Sequence, residues 1–118
     1  MIDVQIKDQT IVELDLSGEV TGKDYESIRP ELEKVFIKNG RQKFLFDMTA
    51  VDKFTPMAIF QDLKFDIQHL KFIGTTAVVS TKAMAETMTK IVDMLYPVKI
   101  EHFEDKKSAL NWLESQEA

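Results

Sequence analysis

IVELDLSGEVTGKDYESIRPELEKVFIKNG, residues 11–40, has the pattern of one strand followed by one helix. Residues 11–16 alternate apolar and polar side chains, which is typical of a strand with one buried face. Thr21 and Asp24 have the spacing of a capping box, with Asp in place of the usual Glu, and Gly40 is a natural helix terminator. The stretch therefore predicts a strand–helix unit of the kind that builds α/β domains.

The predicted helix carries one apolar stripe and one internal proline. Pro30 removes a backbone hydrogen bond, so we expect the helix either to kink there or to break into two short helices. The residues at helical spacing are expected to face the core; they are Tyr25, Ile28, Leu32, Val35 and Phe36.

The same alternation of strands and helices continues along the chain. Further strands are predicted at 2–7, 43–48, 75–80 and 98–103, and further helices at 56–71, 82–95 and 105–116. Asp8-Gln9 suits a tight turn between the first two strands, and residues 49–54, TAVDKF, are predicted to form a loop. This order predicts a mainly parallel sheet with the first strand antiparallel. Because most strands alternate rather than being apolar throughout, the helices should cover mainly one face and leave the other partly wet.

Composition limits the class of protein. The 118 residues predict a single domain, residues 1–118, with an ordinary core. Cysteine is absent, which excludes disulfides and thiolate metal sites and fits a reducing compartment. The formal charge is −5, with both signs interspersed, so nucleic acid is not an expected partner. With neither a secretory signal nor a membrane-spanning run, the expected location is cytoplasmic.

Several short motifs resemble one protein family. They are LSGEV at 16–20, PELE at 30–33, FD at 46–47, DLKF at 62–65, AVV at 77–79, and Phe103 followed by Ala109-Leu110 and Trp112-Leu113. In this order they are similar to the SpoIIAA-like family, STAS-type domains related in fold to CRAL-TRIO lipid carriers. The resemblance spans about residue 2 to residue 113. It implies an α/β fold, a βα superhelix with a five-stranded mixed sheet and about four helices mainly on one face.

The resemblance also implies a regulatory function. STAS proteins include anti-sigma-factor antagonists, which are switched by phosphorylation of a serine at the start of the second helix. The corresponding stretch here is residues 54–58, FTPMA, in which Thr55 is the only hydroxyl. Thr55 is expected to cap the predicted helix 56–71, and Pro56 lacks a backbone donor that would help hold a phosphate. A regulatory role for Thr55 is the alternative.

The predicted helix 56–71 has more apolar residues than one core stripe needs. At about 100° per residue, one stripe faces the core; it comprises Ile59, Phe60, Leu63, Ile67 and Leu70. Phe65 and Ala58 lie almost opposite, Met57 lies between, and Met94 is off the core stripe of the predicted helix 82–95. We predict that these four residues line a groove for an acyl chain, a membrane or a partner. The alternatives are that a loop covers Phe65 or that it is a single exposed residue.

The polar candidates have ordinary explanations. His69 with Asp62 and Asp66 could bind a metal or act as acid and base, but a metal site needs three or four ligands, so a solvated helix face is favoured. Asp47, at the end of a strand, could contact a ligand, although its expected role is to bond the backbone N–H groups of the following loop. His102 is expected to be structural or exposed.

The leading interpretation is a non-enzymatic binding domain without metal or cofactor. Its ligand would be a lipid, an acyl chain or a membrane surface, bound through the predicted helices 56–71 and 82–95, with peripheral membrane contact in the cytoplasm. The alternative is a STAS-type regulatory module that binds a protein and lacks the usual phosphorylatable serine. An enzyme using His69 is a distant third interpretation, and the oligomeric state is open, a homodimer included.

Overall fold

The structure, a computed structural model, describes residues 1–7, 10–54, 72–81 and 98–117. Within these ranges it contains five strands and two helices. They are β1 (Ile2–Lys7), β2 (Ile11–Val20), α1 (Gly22–Asn39), β3 (Gln42–Phe54), β4 (Ile73–Val79), β5 (Ile100–Phe103) and α2 (Lys106–Glu114). The predicted turn at 8–9 and the predicted helices 56–71 and 82–95 lie outside the described residues.

The strands form one mixed sheet in the order β1-β2-β3-β4-β5. β1 runs antiparallel to β2, while the β2–β3, β3–β4 and β4–β5 pairs are all parallel. This arrangement confirms the predicted five-stranded sheet with an antiparallel first strand. Since four strands point the same way, their carboxyl ends meet at one edge of the sheet.

β2 and β3 are longer than their sequence pattern suggested. Residues 49–54 were predicted as a loop, and that prediction is wrong, because β3 continues to Phe54. Its continuation pairs with the end of β2, so residues 17–20 and 50–54 form a two-stranded β2–β3 ribbon. The pairing contains two register irregularities, and Gly18 lies between them with φ +63°, a conformation that suits glycine.

α1 begins and packs as its sequence predicted. The backbone N–H of Thr21 donates to Asp24 Oδ2 at 2.8 Å, which is half of the predicted capping box. The helix is continuous across Pro30, so the predicted break into two helices does not occur. All five residues of the predicted stripe are buried; they are Tyr25, Ile28, Leu32, Val35 and Phe36.

The two described helices lie on opposite faces of the sheet. α1 packs on the face that includes Val12, Phe44 and Val78. The side chains of α2 instead join a second cluster; its buried members are Ile11, Leu45, Ala77, Val79, Ala109 and Leu113. α2 therefore covers part of the face that was expected to stay partly wet, since a polar-alternating strand can still have its second face covered. The prediction of helices mainly on one face also depends on the helices predicted at 56–71 and 82–95, so it stays a prediction. Among the described residues, no helix is long and apolar enough to cross a membrane.

Candidate functional site

The carboxyl edge of the parallel strands carries a cluster of charged side chains. Asp15 of β2 and Asp47 of β3 are register partners on neighbouring strands, and Glu13 lies on the same face. Lys106, the first residue of α2, reaches all three, with its Nζ 3.1 Å from Glu13 Oε2 and 3.3 Å from both Asp15 Oδ1 and Asp47 Oδ2. We call these four residues, together with Lys7, the Lys106 cluster.

Glu13 is the deepest member of the Lys106 cluster. Its side chain is only 1% exposed, and Lys7 Nζ lies 3.2 Å from Oε1, a close ion pair without good hydrogen-bond alignment. The two lysines therefore approach the carboxylate from different sides, one from the edge strand β1 and one from α2. A carboxylate this deep needs such partners, because an unpaired buried charge is strongly unfavourable.

The pKa values of the three carboxyl groups shift in different directions: those of Glu13 and Asp47 are lowered and that of Asp15 is raised. Burial alone would raise the pKa of Glu13, but the adjacent Asp15 carboxyl group, which takes up a proton more readily, and the ammonium groups of Lys106 and Lys7 outweigh burial and hold that pKa below its usual value. Burial and the neighbouring Glu13 carboxylate raise the pKa of Asp15. Burial also opposes ionisation of Asp47, yet hydrogen bonds from Thr49 and Lys106 keep its pKa low. At neutral pH, the ionisation of Asp15 is thus the least favourable of the three.

The pKa of Lys106 shifts in the opposite direction to those of Glu13 and Asp47. Partial burial would lower the pKa of its ammonium group, but hydrogen bonds to the three carboxylates raise that pKa well above its ordinary range. A lysine held this firmly in its charged form is a poor general base or nucleophile. The arrangement can therefore fix α2 to the sheet, and it does not resemble an activated catalytic lysine.

Asp47 has the capping role that its position predicted. The backbone N–H and the hydroxyl of Thr49 both donate to Asp47 Oδ1, at 3.1 and 2.7 Å. These bonds lie at the register irregularity where the β2–β3 ribbon begins, so Asp47 stabilises the local backbone there. Its second oxygen faces Lys106, a contact that the sequence analysis did not anticipate.

A smaller polar group lies at the ends of β4 and β5. His102 is exposed, as expected, and its Nε2 lies 3.2 Å from the backbone carbonyl oxygen of Ser80. The Ser80 side chain is 1% exposed, and its hydroxyl has no hydrogen-bond partner in the part of the chain that the structure describes. Both residues extend the polar character of the carboxyl edge beyond β3.

The predicted groove residues lie outside the described residues; they are Met57, Ala58, Phe65 and Met94. The same holds for Thr55 and for the histidine hypothesis of Asp62, Asp66 and His69. These assignments stay predictions. The described backbone does place Phe54 at the end of β3, so Thr55 follows directly on the β2–β3 ribbon in the chain.

Sequence reasoning missed Glu13, Asp15 and Lys106. The two acidic residues occupy alternate positions of β2, which the analysis interpreted as a partly wet face. A signal was available, because the parallel register places Asp15 beside Asp47 and two adjacent carboxylates require a nearby cation. Lys106 and Lys107 are the first basic residues after β5 and were the natural candidates.

Comparison with known proteins agrees with this architecture. A family model described as SpoIIAA-like matches residues 11–114. The chain belongs to the SpoIIAA-like family. This confirms the resemblance inferred from the short motifs, and the match includes all members of the Lys106 cluster except Lys7.

Two solved structures place the SpoIIAA-like chain among known folds. One is an uncharacterised protein with a SpoIIAA-like fold from Shewanella loihica PV-4, with 27% identity, a TM-score of 0.73, and coverage of 96% of this chain and 92% of that one. The other is the anti-sigma factor antagonist SpoIIAA in its unphosphorylated form, with 12% identity, a TM-score of 0.71, and coverage of 98% and 100%. At that identity the second likeness concerns the fold alone. No curated protein sequence matches the chain.

Proposed function

We propose that this chain is a non-enzymatic binding domain that acts as a regulatory protein-interaction module. The observation that carries the proposal is the extent of the fold likeness to the antagonist SpoIIAA, which covers 98% of this chain and 100% of that one. Fold alone is a weak guide to function, so the local features must also agree.

The carboxyl edge agrees with a binding role. Lys106 pairs with Glu13, Asp15 and Asp47, and such paired charges at a sheet edge are compatible with a structural or binding role. The β2–β3 ribbon leads the chain past this edge to Phe54, and the resemblance places the phosphorylated serine of antagonists just beyond, at the position of Thr55-Pro56. We infer that partner binding uses the surface of the predicted helix 56–71, which follows this edge in the chain, without the serine switch.

A second candidate ligand is a lipid, an acyl chain or a membrane surface. The observation that favours it is the second apolar side of the predicted helix 56–71, where Met57, Ala58 and Phe65 lie away from the core stripe, with Met94 as a neighbour from the predicted helix 82–95. The resemblance to CRAL-TRIO carriers supports it at the level of the fold. Either ligand would use the same apolar surface.

Native mass spectrometry of freshly purified protein separates the two candidates. A protein-interaction module should give a clean monomer or homodimer mass, while an acyl carrier should retain a lipid-sized adduct. Affinity capture with the wild-type chain and with Phe65→Ser then tests the surface: a stoichiometric protein partner should be retained by the first and lost from the second. A lipid adduct that Phe65→Ser abolishes, with no protein partner retained, would replace the first proposal by the second.

A further inference from the structure

α2 is a nine-residue helix attached to the sheet by lysines at both of its ends. At the first turn, Lys106 Nζ contacts Glu13, Asp15 and Asp47 of β2 and β3. The helix also has a capping side chain, since Asp105 Oδ1 accepts a hydrogen bond from the Ser108 backbone N–H at 2.8 Å. An isolated helix of this length is marginal in water. Its contacts with the sheet must therefore supply most of its stability.

The other end of α2 is held by a lysine of the sheet. Lys43 of β3 is only 7% exposed, and its Nζ donates to the carbonyl oxygens of Leu113 at 2.7 Å and Gln116 at 3.1 Å. Carbonyl groups at a helix C-terminus carry partial negative charge, so this buried ammonium is compensated by the helix end. Thr75 adds a bond from its hydroxyl to the Glu117 carbonyl oxygen at 2.9 Å.

Among the described residues, the apolar cluster beneath α2 is smaller than the core on the other face, although Leu110 and Trp112 also pack there, the latter with its ring 5.5 Å from that of Phe103. Two of the α2 side chains, Ala109 and Leu113, are fully buried, against a patch of the sheet formed by Ile11, Leu45, Ala77 and Val79. The larger described core lies on the other face with α1 and contains no side chain of α2. No described side chain would therefore leave that core when α2 separates from the sheet.

We propose that α2 is a reversible cover, which opens as a unit while the sheet and α1 stay folded and whose frequency of opening is set by Lys106 and Lys43. Opening would uncover an apolar patch with three carboxylates at the Lys106 end and the Lys43 ammonium at the other. This surface suits an amphipathic partner segment with a basic group at the end that meets the carboxylates. This goes beyond the proposed function, since it concerns the face opposite α1 and does not depend on the apolar groove. Proteins commonly open in such local units, at free energies below that of global unfolding.

Native-state hydrogen exchange, measured by NMR on the full chain at several sub-denaturing urea concentrations, tests the proposal. Amides of α2 should exchange through an opening with a shallow urea dependence, whereas amides of β3 and β4 should show the steep dependence of global unfolding. Lys106→Met, which keeps the aliphatic chain and removes the charge, should accelerate α2 exchange by about ten-fold or more. The exposed neighbour Lys107→Met is the matched control and should change it little.

A second variant separates local from global opening. Ile28→Val removes one methyl group from the α1 core and should accelerate β3 and β4 exchange by roughly two- to ten-fold. It should leave α2 exchange unchanged, because that core stays formed when α2 opens. If α2 amides instead share the urea dependence of the sheet and accelerate with Ile28→Val, α2 opens only by global unfolding and the proposal is wrong. If Lys106→Met and Lys107→Met changed the exchange rates of α2 amides equally, Lys106 would not be a contact that holds α2 on the sheet.

Discussion

Glu13 and Asp15 are two residues apart on one face of β2, yet only the neutralisation of Glu13 should lower the stability of the fold. The two substitutions are Glu13→Gln and Asp15→Asn, which preserve size and remove one charge each. Glu13 is 1% exposed and contacts two ammonium groups, Lys7 at 3.2 Å and Lys106 at 3.1 Å. Asp15 shares Lys106, but it also faces the Glu13 carboxylate, which raises its pKa together with burial.

The expected magnitude for Glu13→Gln follows from these contacts. Hydrogen bonds to charged groups contribute about 1.5–3 kcal/mol each. Both lysines are 39% exposed, so water compensates part of the loss and solvent screens the pairs. Lys106 also keeps Asp15 and Asp47 as partners. The free energy of unfolding should fall by about 1–2 kcal/mol, which corresponds to roughly 4–8 °C in Tm for a domain of this size.

The competing effect is desolvation. Burying a carboxylate is costly, and neutral replacements of buried ion pairs are often as stable as the original. The two ammonium groups that contact Glu13, at 3.2 and 3.1 Å, favour its charged form in the folded state, and its pKa is accordingly held below the usual 4.5 despite burial. For Asp15 the pKa is raised from 3.8, so its ionisation weakens the fold. Asp15→Asn should leave stability unchanged or raise it by up to about 1 kcal/mol.

The sign of the pH dependence follows from the same shifts. A lowered folded-state pKa gives a contribution that is present above the unfolded pKa and is lost as pH falls through the folded pKa. The Glu13 contribution should therefore be complete at pH 7 and decline below about 4.5. Asp15 behaves oppositely. The loss of stability caused by its ionisation is absent below pH 3.8 and is reached in full only above its raised folded-state pKa.

Urea unfolding followed by circular dichroism at pH 7, 5 and 4 measures both effects. The deficit of Glu13→Gln relative to wild type should be largest at pH 7 and shrink by pH 4. Glu101→Gln, an exposed carboxylate on β5, is the matched control and should shift stability by no more than about 0.5 kcal/mol. Glu13→Gln at least as stable as wild type at pH 7, or both variants shifted in the same direction, would refute the reasoning.

Three further predictions concern the residues beyond β3. Leu63→Ala should cost about 2–5 kcal/mol of stability through a core cavity, whereas Phe65→Ser should cost about 0.5 kcal/mol and still weaken binding to liposomes or fatty acids. Equal destabilisation by both, measured in urea, would mean that Phe65 is core. Thr55→Ala should lower stability by about 1 kcal/mol through loss of a helix cap, without loss of partner binding. Binding abolished by both Thr55→Ala and Thr55→Glu, in equally stable protein, would contradict that. Calorimetric titration with zinc should find no site tighter than roughly millimolar, because too few ligands converge on His69. Stoichiometric zinc binding lost on His69→Ala would restore the enzyme hypothesis.

Local patterns predicted the local structure well. The buried stripe of α1 and its start at Thr21 follow from helical periodicity and capping, which depend on residues within a few positions of one another. The end of β3 depends on a distant partner, residues 17–20 of β2, and residues 49–54, TAVDKF, show no regular alternation of apolar and polar side chains. Pairing across the sheet extended the strand where the local sequence predicted a loop.

The position of α2 shows what alternation can and cannot reveal. A strand that alternates apolar and polar residues has two different faces, but the pattern does not state whether the polar face meets water or a helix. Lys43, Glu13 and Leu45 all lie in or beside the face under α2, and two of these three are charged. Such a face looks exposed in the sequence although it is covered in the fold.

Electrostatic pairing supplies the missing information once the register is known. The predicted parallel order of β2 and β3 places carboxylates beside one another, as the Asp15–Asp47 pair shows, and like charges directly opposite are destabilising unless a cation joins them. The required cation must come from an element that reaches the carboxyl edge, and Lys106 at the start of α2 meets that condition. Once the register is known, an in-register pair of like charges on neighbouring strands therefore indicates which face the following helix covers, and here it indicates the face opposite α1.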